Sequence, residues 1–180
     1  MQTFLVIALL LATLAALIDF RTGHIPNGLT VSALVLLPAA RVVAEAESSH
    51  GLGAAAWMQG AISLGGALAC AFVPLALLSK GAIGGGDVKL FAALGAALGP
   101  VIGIEAEFYA FVAAGVVLPA RLVYEGRLWK TCLQMAVFAV NPAAREKQKA
   151  IAGDLTHFFR MGPAIATGML VTVVLHWRMI

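Results

Sequence analysis

The chain has 180 residues, of which 61% are hydrophobic and 12% charged, with a mean hydropathy of +0.94 and a formal net charge of +3. Charged residues make up about 25% of an ordinary soluble domain, so a water-soluble protein is excluded and one integral-membrane domain over residues 1–180 is expected. The small basic excess lies between apolar runs, where it sets membrane orientation and does not form a nucleic-acid surface.

Met1 to Ile18 is apolar apart from Gln2, Thr3 and Thr13. No Lys or Arg precedes this run and Arg21 follows it, which favours an uncleaved first span over a secretory signal peptide. Asp19 to Asn27 is polar, and Pro26 restricts Ile25 to extended geometry. A second span is expected over about Gly28 to Val43. Glu45 to His50 reads as an external loop. Leu52 to Ser79 is the longest apolar stretch, with Gly60, Gly65 and Gly66 available for close helix contact. Lys80, Asp87 and Lys89 follow, and then a fourth span from Leu90 to Ile104. Its Gly95, Gly99 and Gly103 recur every four residues, the small-residue spacing of one tightly packed face. Glu105 and Glu107 mark an external turn before a fifth span, Phe108 to Val123. Tyr124 to Arg160 is a polar cytoplasmic or interfacial segment. Its apolar piece, Thr131 to Val140, is too short to cross a bilayer. Met161 to Trp177 is the sixth span. The fold class is therefore all-α: a polytopic membrane protein with about six transmembrane helices.

Charge supports this layout. Ten of the twelve basic residues fall on the proposed inside, leaving Arg41 and Arg178 outside. Asp19 then ends the first span and Asp87 opens the fourth, both at the cytoplasmic boundary. A carboxylate at such a depth is costly unless it is paired, hydrated or used. Two at one depth suggest an aspartic protease pair. Like charges held close cannot both ionise easily, so one carboxyl keeps its proton as acid while the other activates water as base. The pair titrates as a unit, so neither residue receives a fixed role. In the plainer reading Asp87 caps a helix, or Asp19 pairs with Arg21 and Asp87 with Lys89 at the headgroups. Other chemistries fit less well. Gly86 is followed by Asp87 and not by the Lys-Ser/Thr of a phosphate loop. His24, His50, His157 and His176 are scattered, and Cys70 and Cys132 have no CxxC partner. No metal site and no cofactor are expected.

Two motifs carry a resemblance. Asp19, Arg21 and Ile25-Pro26-Asn27 form the first; Gly84-Gly85-Gly86-Asp87-Val88-Lys89-Leu90 forms the second. The chain resembles the type IV prepilin peptidases, the GxGD class of membrane aspartic proteases, and is most similar to the short branch serving tight-adherence (Flp-type) pili. The resemblance implies Asp19 and Asp87 as the catalytic pair. It implies substrate-binding or site-shaping roles for Gly84, Gly85, Gly86, Lys89, Arg21, Ile25, Pro26 and Asn27. The implied reaction removes a short basic leader from prepilins and pseudopilins, in the bacterial inner membrane, with both termini outside. The basic segment is expected to rest on anionic lipid headgroups, and the oligomeric state is left open.

The late stretch Arg160-Met161-Gly162-Pro163-Ala164-Ile165-Ala166 departs from the family's Met-Pro-Tyr-Gly-Pro-Ala-Ile-Ala by lacking the Pro-Tyr pair. The paired CxxC region of longer relatives is not matched, so neither an N-methyltransferase nor a zinc site is expected. Three rival readings remain: a presenilin-like protease, a small proton-coupled transporter or channel, and a non-catalytic subunit of a pilus assembly or secretion system.

Overall fold

The computed structural model of the chain describes residues 2–49, 51–124, 126, 129 and 161–177. The expectations for Thr131–Val140, for Cys132, for His50 and His157, and for Arg127, Lys130, Arg145, Lys147, Lys149, Arg160 and Arg178 lie outside the described residues. Six helices follow one another among the described residues: α1 (Gln2–Thr22), α2 (Asn27–Ser48), α3 (Ala54–Ser79), α4 (Gly85–Leu98), α5 (Pro100–Tyr124) and α6 (Gly162–Trp177). No strand occurs among the described residues. The helices α1, α2, α3 and the Pro100–Ala120 part of α5 are long and apolar enough to cross a membrane, whereas α4 and α6 are shorter. The protein is an all-α, polytopic membrane protein.

Helix α4 sits at the centre, packed on α1, α2, α3 and α5, while α6 closes the bundle against α1 and α5. Every residue from Leu90 to Leu98 is buried. The outward faces of the longer helices carry exposed Leu10, Leu68, Phe72 and Val116. Such a surface would aggregate in water and is the normal lipid contact in a bilayer. Lipid tails are as apolar as leucine, so burial alone does not pull these helices together; close packing and interhelical hydrogen bonds must do it. A β-carbon at Gly66 or at Gly95 would collide with the other's carbonyl oxygen, so α3 and α4 meet backbone to backbone. Beside this contact the Ser63 hydroxyl donates to the Ala96 carbonyl at 2.6 Å. On the opposite flank the rings of Phe91 and Phe111 stack with centroids 5.5 Å apart.

Several boundaries differ from the sequence expectation. Helix α1 runs through Asp19 to Thr22 and stops where Gly23 takes φ +76° and donates its N–H to the Asp19 carbonyl. Helix α2 continues to Ser48, so Glu45 and Glu47 lie on a helix and not in a loop. Its last turn is closed by the Ser48 and Ser49 hydroxyls, which donate to the Glu45 carbonyl at 2.9 and 2.7 Å.

The largest change concerns the expected fourth span. It breaks at Gly99, not at Glu105 and Glu107. Gly99 adopts φ +81°, a conformation side chains disfavour, and Pro100 then opens α5 with its ring already set for a first helical turn. Glu105 and Glu107 consequently lie inside α5, and Glu107 is buried, with its Oε1 unpartnered among the described residues. Gly95 and Gly103 therefore belong to two helices, yet a β-carbon at either would strike the Cys70 thiol of α3.

Gly66→Ala is expected to destabilise the bundle by about 1–3 kcal/mol, the usual range for forcing a methyl into a packed contact. Gly65 has nothing within 4 Å of the equivalent position, so Gly65→Ala should leave stability unchanged. Thermal unfolding of both variants in the same detergent checks the pair.

Candidate active site

The two sequence motifs meet at one end of the bundle. There α1 and α3 end while α2, α4 and α6 begin. Between α1 and α2, Ile25 is buried, and a β-carbon built on Gly86 would lie 3.2 Å from that of Ile25. Any side chain at Gly86 would therefore push the first motif away. Lys89, one turn into α4, donates from Nζ to Asn27 Oδ1 at 2.8 Å. These two contacts, one of packing and one polar, join stretches 62 residues apart.

Gly84 supplies the N-cap of α4 and Asp87 its third position, so Asp87 is not itself the cap. The Gly84 N–H donates to Asp87 Oδ2 at 3.2 Å. Glycine has no side chain to cap the helix in return, so only the reciprocal half of a capping box forms. Asp19, only 6% exposed, points from the last turns of α1 toward the start of α6, where Asp19 Oδ2 accepts the Gly162 N–H at 3.1 Å. A β-carbon at Gly162 would lie 2.8 Å from that oxygen and 3.1 Å from the Ala16 Cα. The amide reaches Asp19 because residue 162 has no side chain.

Burial pushes the Asp87 carboxyl up to about 6; the Gly84 N–H opposes this, and the charge of Asp19 adds to it. The two carboxylates thus feel one another at the same end of the bundle. The headgroup pairing weighed above does not form: no ion pair joins Asp19 to Arg21 or Asp87 to Lys89 among the described residues. Arg21 and Gly85 are exposed at this end, and Pro26 precedes α2 in extended geometry with φ −64° and ψ 131°. Among the described residues no group of three His, Cys, Asp or Glu side chains could hold a metal ion. Gly162 was not singled out in the sequence. Its signal was the surviving Gly-Pro-Ala-Ile-Ala of the late motif, and its role is carried by a backbone N–H.

Fold and site define a multi-pass helical membrane protein with two carboxylates gathered at one end. The profile of the type IV leader peptidase family matches residues 5–119, from the first helix into the fifth. The chain belongs to that family. The prepilin leader peptidase/N-methyltransferase of Bacillus subtilis (strain 168) is 34% identical over 150 residues, which cover 83% of this chain and 55% of that protein. The chain thus spans about half the length of this relative. No solved structure matches.

The contact between the motifs can be tested without any assay of activity. With Cys70 and Cys132 replaced by alanine, Ile25→Cys combined with Gly86→Cys should form a disulfide under mild oxidation, since a shift of a few tenths of an ångström from the 3.2 Å separation brings the pair into the range of about 3.5–4.5 Å found in disulfides. Gly85 has nothing within 4 Å of its β-position, so Ile25→Cys with Gly85→Cys should stay reduced on a non-reducing gel.

Proposed function

We propose that this protein is a membrane aspartic endopeptidase that removes the leader from prepilins and pseudopilins of the Flp type. The observation that carries the reading is the meeting of both motifs at one end of the bundle, where the charge of Asp19 helps to raise the Asp87 carboxyl. Membership of the type IV leader peptidase family supports it.

In this reading Asp19 and Asp87 share one proton. The ionised member takes a proton from a bound water as its oxygen attacks the scissile carbonyl carbon. The protonated member gives its proton to the carbonyl oxygen, forming a tetrahedral diol. Collapse re-forms the C=O bond as one diol hydroxyl returns its proton to the aspartate that donated it, and the C–N bond breaks as the leaving amine takes the proton first drawn from water. The pair titrates as a unit, so neither aspartate is given a fixed role.

Ile25, Pro26, Asn27, Lys89 and the glycines Gly84 to Gly86 shape the edge of the site. Gly162 positions Asp19 through its amide. Arg21, in the last turn of α1, faces the headgroup layer. In the same reading this end lies at the cytoplasmic face of a bacterial inner membrane with both termini outside, which the bias of basic residues between the spans supports. A prepilin has a basic leader followed by an apolar helix. That helix enters the bilayer beside the enzyme and leaves the scissile bond at the boundary where Asp19 and Asp87 lie.

Incubating purified chain with a Flp-type prepilin should shorten the substrate on a gel, and Asp19→Ala or Asp87→Ala should each abolish the shift. Survival of cleavage in either variant sinks the pair. Proton flux in vesicles without cleavage would favour a transporter, and full pilus assembly by the double variant a non-catalytic subunit. Gly162→Ala should lower kcat roughly ten- to hundredfold with KM little changed, because it displaces a catalytic carboxylate and not the substrate surface. The Asp87 carboxyl keeps its proton below about pH 6 and loses it as the pH rises further, so the alkaline limb of the kcat profile should fall near that value.

A further inference from the structure

The end of the bundle away from the aspartates holds a second polar feature. Helix α4 has 14 residues, about 21 Å of rise, against a hydrocarbon thickness of about 30 Å. Having started level with the motif end, it stops short of the far surface, and α5 begins at the same depth. A cavity of about 800 Å³ opens there, walled by Phe4, Arg41, Glu45 and Gln59 and floored by Leu98 and Gly99.

Arg41 is the unusual member. It is 7% exposed, yet no ion pair neutralises it among the described residues. Its Nε donates to the Ala97 carbonyl at 3.1 Å, its Nη1 donates to Gln59 Oε1 at 3.3 Å, and its Cζ lies 5.1 Å from the Phe4 ring centroid. Nη2 has no partner among the described residues. A guanidinium has five N–H donors, so most remain available toward the cavity. A buried cation without a counter-charge is costly, and a ligand oxyanion would relieve that cost with charge-assisted hydrogen bonds. Glu45 lines the same cavity one helical turn further on, where the two β-carbons are about 5–6 Å apart. Its side chain makes no hydrogen bond or ion pair among the described residues. The cavity therefore presents a cation and an anion side by side at lipid depth, and the exposed Val101 sits on its rim.

We infer that this recess binds a zwitterionic phospholipid of the ethanolamine class, with its phosphate on Arg41 and its ammonium on Glu45. The pairing uses both charges, which a purely anionic headgroup would not, since Glu45 would repel it. A choline headgroup supplies the phosphate but has no N–H to donate to the carboxylate. The acyl chains run outward past Val101 into the bilayer. The lipid headgroup then occupies the depth that α4 leaves unfilled. The inference is independent of the peptidase reading, because the recess lies at the opposite end of α4.

The test is native mass spectrometry of the full chain in detergent, with ethanolamine, choline and glycerol phospholipids of identical acyl chains. Wild type should retain one ethanolamine lipid over either of the others by about five- to tenfold, the scale of one charge-assisted hydrogen bond. Glu45→Gln should bring ethanolamine and glycerol lipids to equal retention, and Arg41→Gln should lower retention of all three. Arg41 also holds the end of α4, so Glu45→Gln, whose side chain supports nothing else, is the decisive variant. Equal retention of the three lipids by wild type, or an ethanolamine preference that survives Glu45→Gln, overturns the assignment.

Discussion

The backbone contact between Gly66 of α3 and Gly95 of α4 is the constraint on which the rest of the structure depends. A 14-residue helix cannot cross the hydrocarbon layer by itself, and its terminal peptide groups need partners that lipid does not supply. Helix α4 is stable there only because it is enclosed by α1, α2, α3 and α5. The absence of two side chains sets how near α3 can come. At that separation Ser63 reaches the Ala96 carbonyl and Arg41 reaches the Ala97 carbonyl, so two acceptors of the last turn are satisfied by neighbouring helices. The depth of Asp87 follows from the same contact. Moving α4 along its axis would separate Gly66 from Gly95 and Lys89 from Asn27 together.

The two ends of α4 are therefore held differently. The far end is fixed by side chains that reach across to backbone carbonyls. The motif end is fixed by the close approach of Gly86 to Ile25 and by the Lys89–Asn27 bond, and there the carboxylates are held by amide donors: Gly84 to Asp87, Gly162 to Asp19. Amides on helix backbones are rigid, and they hold carboxylate oxygens in place without bringing in a competing charge. A lysine or arginine at the same positions would pair with the aspartates and oppose the rise that burial gives the Asp87 carboxyl. The structure spends Lys89 on Asn27, away from its neighbour Asp87.

Much of this was legible in the chain. The aspartates, the Ile25-Pro26-Asn27 element and the triple glycine are local in sequence, and their chemistry is explicit in side-chain type. The number of helices followed from apolar length. The break at Gly99 was harder to see, because hydropathy runs without interruption from Leu90 to Ile104 and the glycine spacing suggested one continuous face. The Gly99-Pro100 pair was the available signal, a residue that tolerates positive φ followed by one that favours a first turn. Arg41 read as an orientation charge, since a sequence does not show that a second helix ends beside it. Gly162 escaped for a different reason. The departures in its motif concern side chains, whereas what reaches Asp19 is a main-chain N–H that any residue other than proline possesses. What the sequence lacked was the reason for glycine: the space beside Asp19 and Ala16.

The bond from Gly162 to Asp19 joins α6 to α1 across 143 residues. A ribosome adding about 5–20 residues each second needs roughly 7–30 s to cover that distance. Through that interval Asp19 is without its amide donor, and α1 lacks its packing against α6. Assembly of this end is therefore a late event in biogenesis, tied to the arrival of α6. A chain truncated before Gly162 would still lack the amide that holds Asp19. Truncation and stalling would thus leave this end of the bundle unfinished.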